Sequence, residues 1–288
     1  VSEPASGVIH DIGYRHYDGP RLGSWYATRA LFVYSLRAAF GFGRTARAKI
    51  MPFGLATVML LPAVVSIAMM ALLKERGMPY PGFFVYMQAI LSIFVASQSP
   101  ALVAPDLRHR VLPLYLSRPV GVPQYAGAKL AAMTLAVFLV IGVPLTLVYA
   151  GELLIDLEGP PQTGEYLAAL TTGLCLALLL SAFGLTIASL TPRRGLGVAS
   201  VIAVYLLLLA VSGVLVGTFE SIGSGTAAAW SYLINPFFLL DAVRVALFGG
   251  ESASGQYPDG PGPVLLTAAL VALGVAALFL RYRKAAAK

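Results

Sequence analysis

Apolar residues in this chain gather in long unbroken runs. They do not alternate as in a half-buried strand, nor recur every three or four positions as in a surface helix. Six runs, 52–73, 82–104, 130–150, 166–190, 196–217 and 263–280, contain no Asp, Glu, Lys, Arg or His. A helix needs about 20 apolar residues to cross the roughly 30 Å hydrocarbon core of a bilayer. Each run is near or beyond that length. Hydrocarbon offers no partner to a free backbone N–H or C=O, so runs of this kind form helices. The pattern predicts an all-α membrane protein with six transmembrane helices.

Two further segments carry apolar residues without being able to span. Residues 22–40 hold Trp25, Tyr26, Leu31, Phe32, Leu36 and Phe40 together with Arg29 and Arg37, a composition suited to a helix lying in the membrane interface. On a helical wheel the two arginines share a half with Leu22, Tyr26 and Val33, which snorkelling side chains accommodate. Gly41 and Gly43 end this helix before the first span. Near the other end, Asn235-Pro236 is a helix start, with Asn as the cap and Pro at the first helical position. Gly249-Gly250 is a stop. The helix between them is too short to cross, and Asp241 and Arg244, three apart, fall on one face. A short re-entrant helix before the last span is expected.

Charge gives the sides. Seventeen of the 20 Lys and Arg residues lie in the N-terminal tail, the loop after the second run, the loop after the fourth, and the C-terminal tail. Basic residues collect on the cytoplasmic side, so both termini are expected there. The re-entrant helix is then extracellular and the N-terminal helix cytoplasmic. Residues 1–51 form the N-terminal arm and interfacial helix, and 52–280 the transmembrane domain, with loops at 105–128 (cytoplasmic) and 218–262 (extracellular). Residues 281–288 form a cytoplasmic tail. The first fifty residues are polar and arginine-rich, so the first span is expected to serve as the insertion signal.

Composition narrows the functions. Only 11% of residues are charged, against about a quarter in a soluble domain, and mean hydropathy is +0.80. The net charge of +7 is explained by cytoplasmic loops, without a nucleic-acid partner. The single cysteine, Cys175, excludes an intrachain disulfide. No lysine precedes Ser or Thr, so the chain has no Walker A loop of its own. His10, His16 and His109 form no HExxH, and no GxSxG occurs. Pumps and proton-coupled transporters place ionisable residues inside the membrane; these six runs have none. The chain reads as a conduit without an engine of its own, either a channel or one that borrows energy from a partner, and no cofactor is expected on it.

The loop after the second span reads Asp106-Leu107-Arg108-His109-Arg110, then Leu112-Pro113-Leu114-Tyr115-Leu116-Ser117-Arg118-Pro119, and continues through Tyr125 to Lys129. Leu112, Leu114 and Leu116 with flanking arginines suit a groove on a soluble partner. A second stretch runs from Asn235-Pro236 through Asp241 and Arg244 to Gly249. Both stretches, and the six-span plan around them, resemble the permease subunits of type-2 ABC exporters. The resemblance implies a bacterial plasma-membrane protein assembled as two permeases, identical or homologous, over two ATP-binding subunits. ATP and Mg would sit on those partners. It implies that Asp106, Arg108, Arg110, Leu114 and Arg118 meet the ATP-binding subunit as a coupling helix. It also implies that Asn235, Pro236, Asp241 and Arg244 belong to extracellular re-entrant helices. Residues 9–23 lie outside that pattern and suggest an arm reaching the ATPase.

Other residues carry open alternatives. Gly213 and Gly217 form a GxxxG on the fifth span, for contact with the second permease or for packing within one subunit. Gln88, Ser92, Ser97 and Gln98 either line the transport pathway or hydrogen-bond between helices. Charge-free spans favour an apolar or amphipathic cargo, such as a drug, an antibiotic or a lipid-like molecule. Against the exporter stand a channel, a non-transporting sensor or immunity subunit, and a lipid-modifying enzyme built around Asp106 and His109.

Overall fold

The computed structural model describes residue 19 and residues 22–109, 111–117, 119–191 and 193–287. Eleven helices form among the described residues, and no strand. Six are long and apolar enough to cross a membrane: α2 (Ala46–Leu73), α4 (Gln88–Arg108), α6 (Val122–Leu154), α7 (Thr163–Leu190), α8 (Arg194–Ser221) and α11 (Gly262–Ala286). The remaining five are α1 (Ser24–Ala39), α3 (Phe83–Tyr86), α5 (Leu112–Leu116), α9 (Gly225–Tyr232) and α10 (Pro236–Phe248).

The apolar runs mark the helices but not their ends. α2 begins six residues before the first run, and α6 begins eight before the third and ends four after it. At 1.5 Å per residue, the 33 residues of α6 measure about 50 Å. Helices that outrun the hydrocarbon carry charge at their ends. Asp106 and Arg108 lie in α4, and Lys129 and Glu152 lie in α6. The expectation of charge-free spans therefore holds for the middles and not for the whole helices. The second run also breaks, with α3 and α4 separated at Met87.

α4 is the centre of the bundle, with 72% of its apolar window buried. It packs on α8 and α7, while α6 packs on α7, α1 and α2, and α11 packs on α7 and α10. α8 is the outlier, with only 11% of its window buried. The end of α4, the start of α6 and the ends of α7 and α11 meet at one pole of the bundle, the proximal pole. The ends of α2 and α6 meet at the opposite, distal pole.

α1 buries Leu31, Ser35, Ala38 and Ala39, and packs on α6 and α4. Its other face exposes Trp25, Tyr26, Val33 and Tyr34 with Arg29 and Arg37. The arginines that spoil the amphipathic pattern in sequence thus belong to one mixed basic and aromatic face. A tight turn then leads into α2. Gly41 sits at φ +72°, and a Cβ there would lie 2.6 Å from the backbone oxygen of Ala48. Glycine alone makes this turn without strain.

At the distal pole α9 and α10 meet at 110°. Asn235 caps α10 as the sequence predicts. Its side-chain oxygen accepts from the Phe237 N–H at 3.0 Å. Its amide donates to the Gln88 side chain, also at 3.0 Å. The cap therefore fixes the corner and ties it to the start of α4. Gly249, at φ 73°, ends the helix.

Candidate functional site

The segment from the end of α4 through α5 to the start of α6 is clamped at its base and exposes Arg108, His109 and Leu114 beyond it. The Lys129 ammonium donates to Asp106 Oδ2 at 2.5 Å and to the Leu102 carbonyl at 2.5 Å. The Tyr125 hydroxyl donates to the same Asp106 oxygen. The Lys129 side chain is 4% exposed and that of Asp106 15%. Around the pair, Tyr125 packs against Tyr115 and against Tyr282 of α11, each at 5.3 Å between ring centroids. Arg281 of α11 donates to the Ser189 carbonyl at 3.0 Å. One charged lock therefore joins α4 to α6, and the tyrosine stack extends it to α11.

Beyond the lock the chain turns outward. Arg108 and His109 are exposed. In α5, Leu112 is buried and Leu114 is 68% exposed. The Ser117 hydroxyl donates to the Leu114 carbonyl and closes the short helix. The three leucines are thus not a common knob: Leu112 anchors, Leu116 is half-buried and Leu114 projects. Asp106 is turned inward, toward Lys129 and Tyr125. Arg110, Arg118 and all of the 9–23 arm except Gly19, Leu22 and Gly23 lie outside the described residues.

The polar residues of α4 divide. Gln88 accepts from Asn235, an interhelical bond. Ser97 donates to the Phe94 carbonyl, and Gln98 donates to Ser97, both within α4. Ser92 instead borders a cavity of about 490 Å³ between α4, α7, α8, α10 and α11. Val95, Phe183, Leu208, Leu239 and Leu270 supply much of its apolar wall. The hydroxyls of Ser92 and Tyr205 adjoin there, and among the described residues neither has another hydrogen-bond partner. Beside Gly213 and Gly217 the space is open, with nothing within 4 Å of the place a Cβ would take.

Two more charge clusters hold the distal pole, one buried and one between buried Glu152 and exposed Arg76. Arg244 donates to Asp241 Oδ1 at 2.9 Å, to the Gly249 carbonyl at 3.2 Å and to the Glu251 carbonyl at 2.5 Å. Asp241 Oδ2 accepts from the Ala253 N–H at 2.7 Å and from the Tyr257 hydroxyl at 2.9 Å. The pair expected from their spacing forms, and it also organises the loop beyond. At the other cluster, Glu152 pairs with Arg76 at 3.3 Å. It accepts from the Tyr80 hydroxyl at 2.6 Å and from the Gln162 N–H at 3.0 Å. Burial, and then the neighbouring carboxylate, raises the pKa of the Tyr80 and Tyr257 phenols. Both therefore stay protonated donors well into alkaline solution.

Sequence reasoning did not find the Asp106–Lys129 lock or the Glu152 cluster. Asp106 and Lys129 are 23 positions apart, and Glu152 lies far along the chain from Arg76. Only the packing of separate helices brings them together. No protein-family model matches the chain, and no curated protein matches it significantly.

Proposed function

We propose that this chain is the membrane-spanning subunit of an ATP-driven exporter of the type-2 ABC class. It is seated in a bacterial plasma membrane with both termini in the cytoplasm. One observation carries the reading: the α4–α5–α6 segment has an exposed Leu114 and Arg108 at its tip and a buried ion pair at its base. An apolar side chain held clear of the bundle at a charged rim suits a pocket on a soluble partner. The lock makes the tip a lever, since a push on α5 moves α4 and α6 together. The partner is an ATP-binding subunit, present in two copies, which supplies the ATP and Mg.

The other elements fall into place around that reading. α1 lies in the cytoplasmic interface, and the α9–α10 corner is a re-entrant pair on the extracellular side. α8, barely covered in the single chain, offers Gly213 and Gly217 to a second permease. The apolar cavity beside Ser92 and Tyr205 suits an amphipathic cargo. Leu114→Asp and Arg108→Glu test the coupling role. Each is expected to weaken binding of the ATP-binding subunit by about tenfold or more, measured by titration of the solubilised chain, while leaving its helicity intact. Unchanged affinity in both variants would contradict the assignment.

A further inference from the structure

The basic face of α1 continues into an apolar groove. Its arginines border a cleft of about 630 Å³, formed with the turn into α2 and lined by Arg29, Arg37 and Arg44 among aromatic residues. Among the described residues none of the three makes a salt bridge or a side-chain hydrogen bond. Lys49 adds a fourth cation at the edge, 5.8 Å from the centroid of the Phe42 ring. A second space of about 420 Å³ runs between α1, α2 and α6, walled by Phe53, Ala56, Leu60, Leu139, Val143 and Pro144. Arg37 and Phe42 line both spaces. The cleft is thus polar and positive where the chain enters its first span, and the groove is apolar alongside that span. Phe53 to Leu60 is about 10 Å of helix.

Among the described residues these three cations have no counter-ion, and they gather beside exposed Tyr26 and Tyr34, side chains of the kind that settle at headgroup level. A soluble anion would use the cleft and leave the groove empty. An acyl chain alone would use the groove and leave the arginines unanswered. We propose that the two spaces together hold one anionic phospholipid. Its headgroup phosphate lies among Arg29, Arg37 and Arg44, and one acyl chain lies in the groove against α2 and α6. Phe42, edge-on to Phe53 at 5.7 Å, marks where headgroup gives way to chain. The lipid would then pin α1 to the first and third spans, next to the lock at Asp106 and Lys129. The site needs a phospholipid but no ATPase, so it and the exporter reading stand or fall separately.

Native mass spectrometry of the detergent-solubilised chain tests it, using phosphatidylglycerol and phosphatidylcholine with identical acyl chains. Both lipids carry the phosphate, but choline cancels its charge in one of them; at about a tenfold gain for every one to two arginines facing an uncancelled charge, the anionic lipid is expected to bind roughly a hundredfold more tightly. The triple variant Arg29→Gln, Arg37→Gln, Arg44→Gln is expected to abolish that preference. Val143→Phe, which fills the groove, is expected to weaken both lipids. Glycerol 3-phosphate, the free headgroup, is expected not to displace bound lipid at equal concentration. Equal retention of the two lipids by the unaltered chain would overturn the proposal, whatever the variants do. So would displacement by the free headgroup, since that would mean the groove contributes nothing.

Discussion

Asp106→Asn is expected to destabilise the chain by about 3–5 kcal/mol, the cost of leaving one member of a buried ion pair without its partner. Lys129 is then left with a 4% exposed side chain and only neutral acceptors, the Leu102 carbonyl and the amide oxygen of the new side chain, in place of a counter-charge. Lys129→Met is expected to cost less. The carboxylate it strands is more exposed and keeps the Tyr125 hydroxyl as a donor. The double variant should be more stable than Asp106→Asn alone, because the isosteric apolar side chain removes the need for a counter-charge. Thermal unfolding in detergent, followed by circular dichroism, gives the order. If Asp106→Asn proves harmless and Lys129→Met severe, the lock as described is wrong.

The distal pole should respond as strongly to loss of Asp241 or Arg244. Both side chains are almost fully buried, at 0% and 3% exposure. Asp241→Ala strands the guanidinium and frees the Ala253 N–H and the Tyr257 hydroxyl at once. A cost of about 3–5 kcal/mol is expected. Arg244→Lys should cost nearly as much, since an ammonium cannot span Asp241, Gly249 and Glu251 as the planar fork does. Tyr257→Phe removes a single bond to a charged acceptor and should cost about 1.5–3 kcal/mol. The released loop gives a second readout. Endoproteinase Glu-C should cut after Glu251, in the same loop, far faster in Asp241→Ala than in the unaltered chain. Equal cutting rates would mean that the loop is held by something else.

How much of the fold and of the site was legible in the sequence depends on the range of the interaction. The spans were legible because the bilayer forces every crossing segment to declare itself as an apolar run. The Asn235 cap and the Asp241–Arg244 pair were legible because their partners lie within one turn of helix. The ends of α4 and α6 were not. A helix does not stop where its apolar run stops, and Lys129 reads as a loop charge unless α6 is known to begin at Val122. The Glu152 cluster was hidden for the same reason. Glu152 lies just past the third apolar run, yet it is buried in α6 against Arg76 and Tyr80. In α5 the short helix was anticipated, but the division of labour between Leu112 and Leu114 was not. Five residues have no periodicity long enough to say which side faces in. Arg29 and Arg37 share a half of the α1 wheel with apolar residues, and snorkelling reconciles the two in an interfacial helix. Against a membrane, one face can be both basic and aromatic.

The central claim is that this chain takes its energy from a partner through α5. The most direct measurement is isolation of the chain from its native membrane in mild detergent, followed by identification of bound subunits and assay of ATP hydrolysis. The account predicts a stoichiometric subunit with a nucleotide-binding loop, ATP hydrolysis by the complex, and loss of that subunit from Leu114→Asp. A monodisperse, correctly folded chain that carries no ATP-binding protein and shows no ATP hydrolysis would contradict it.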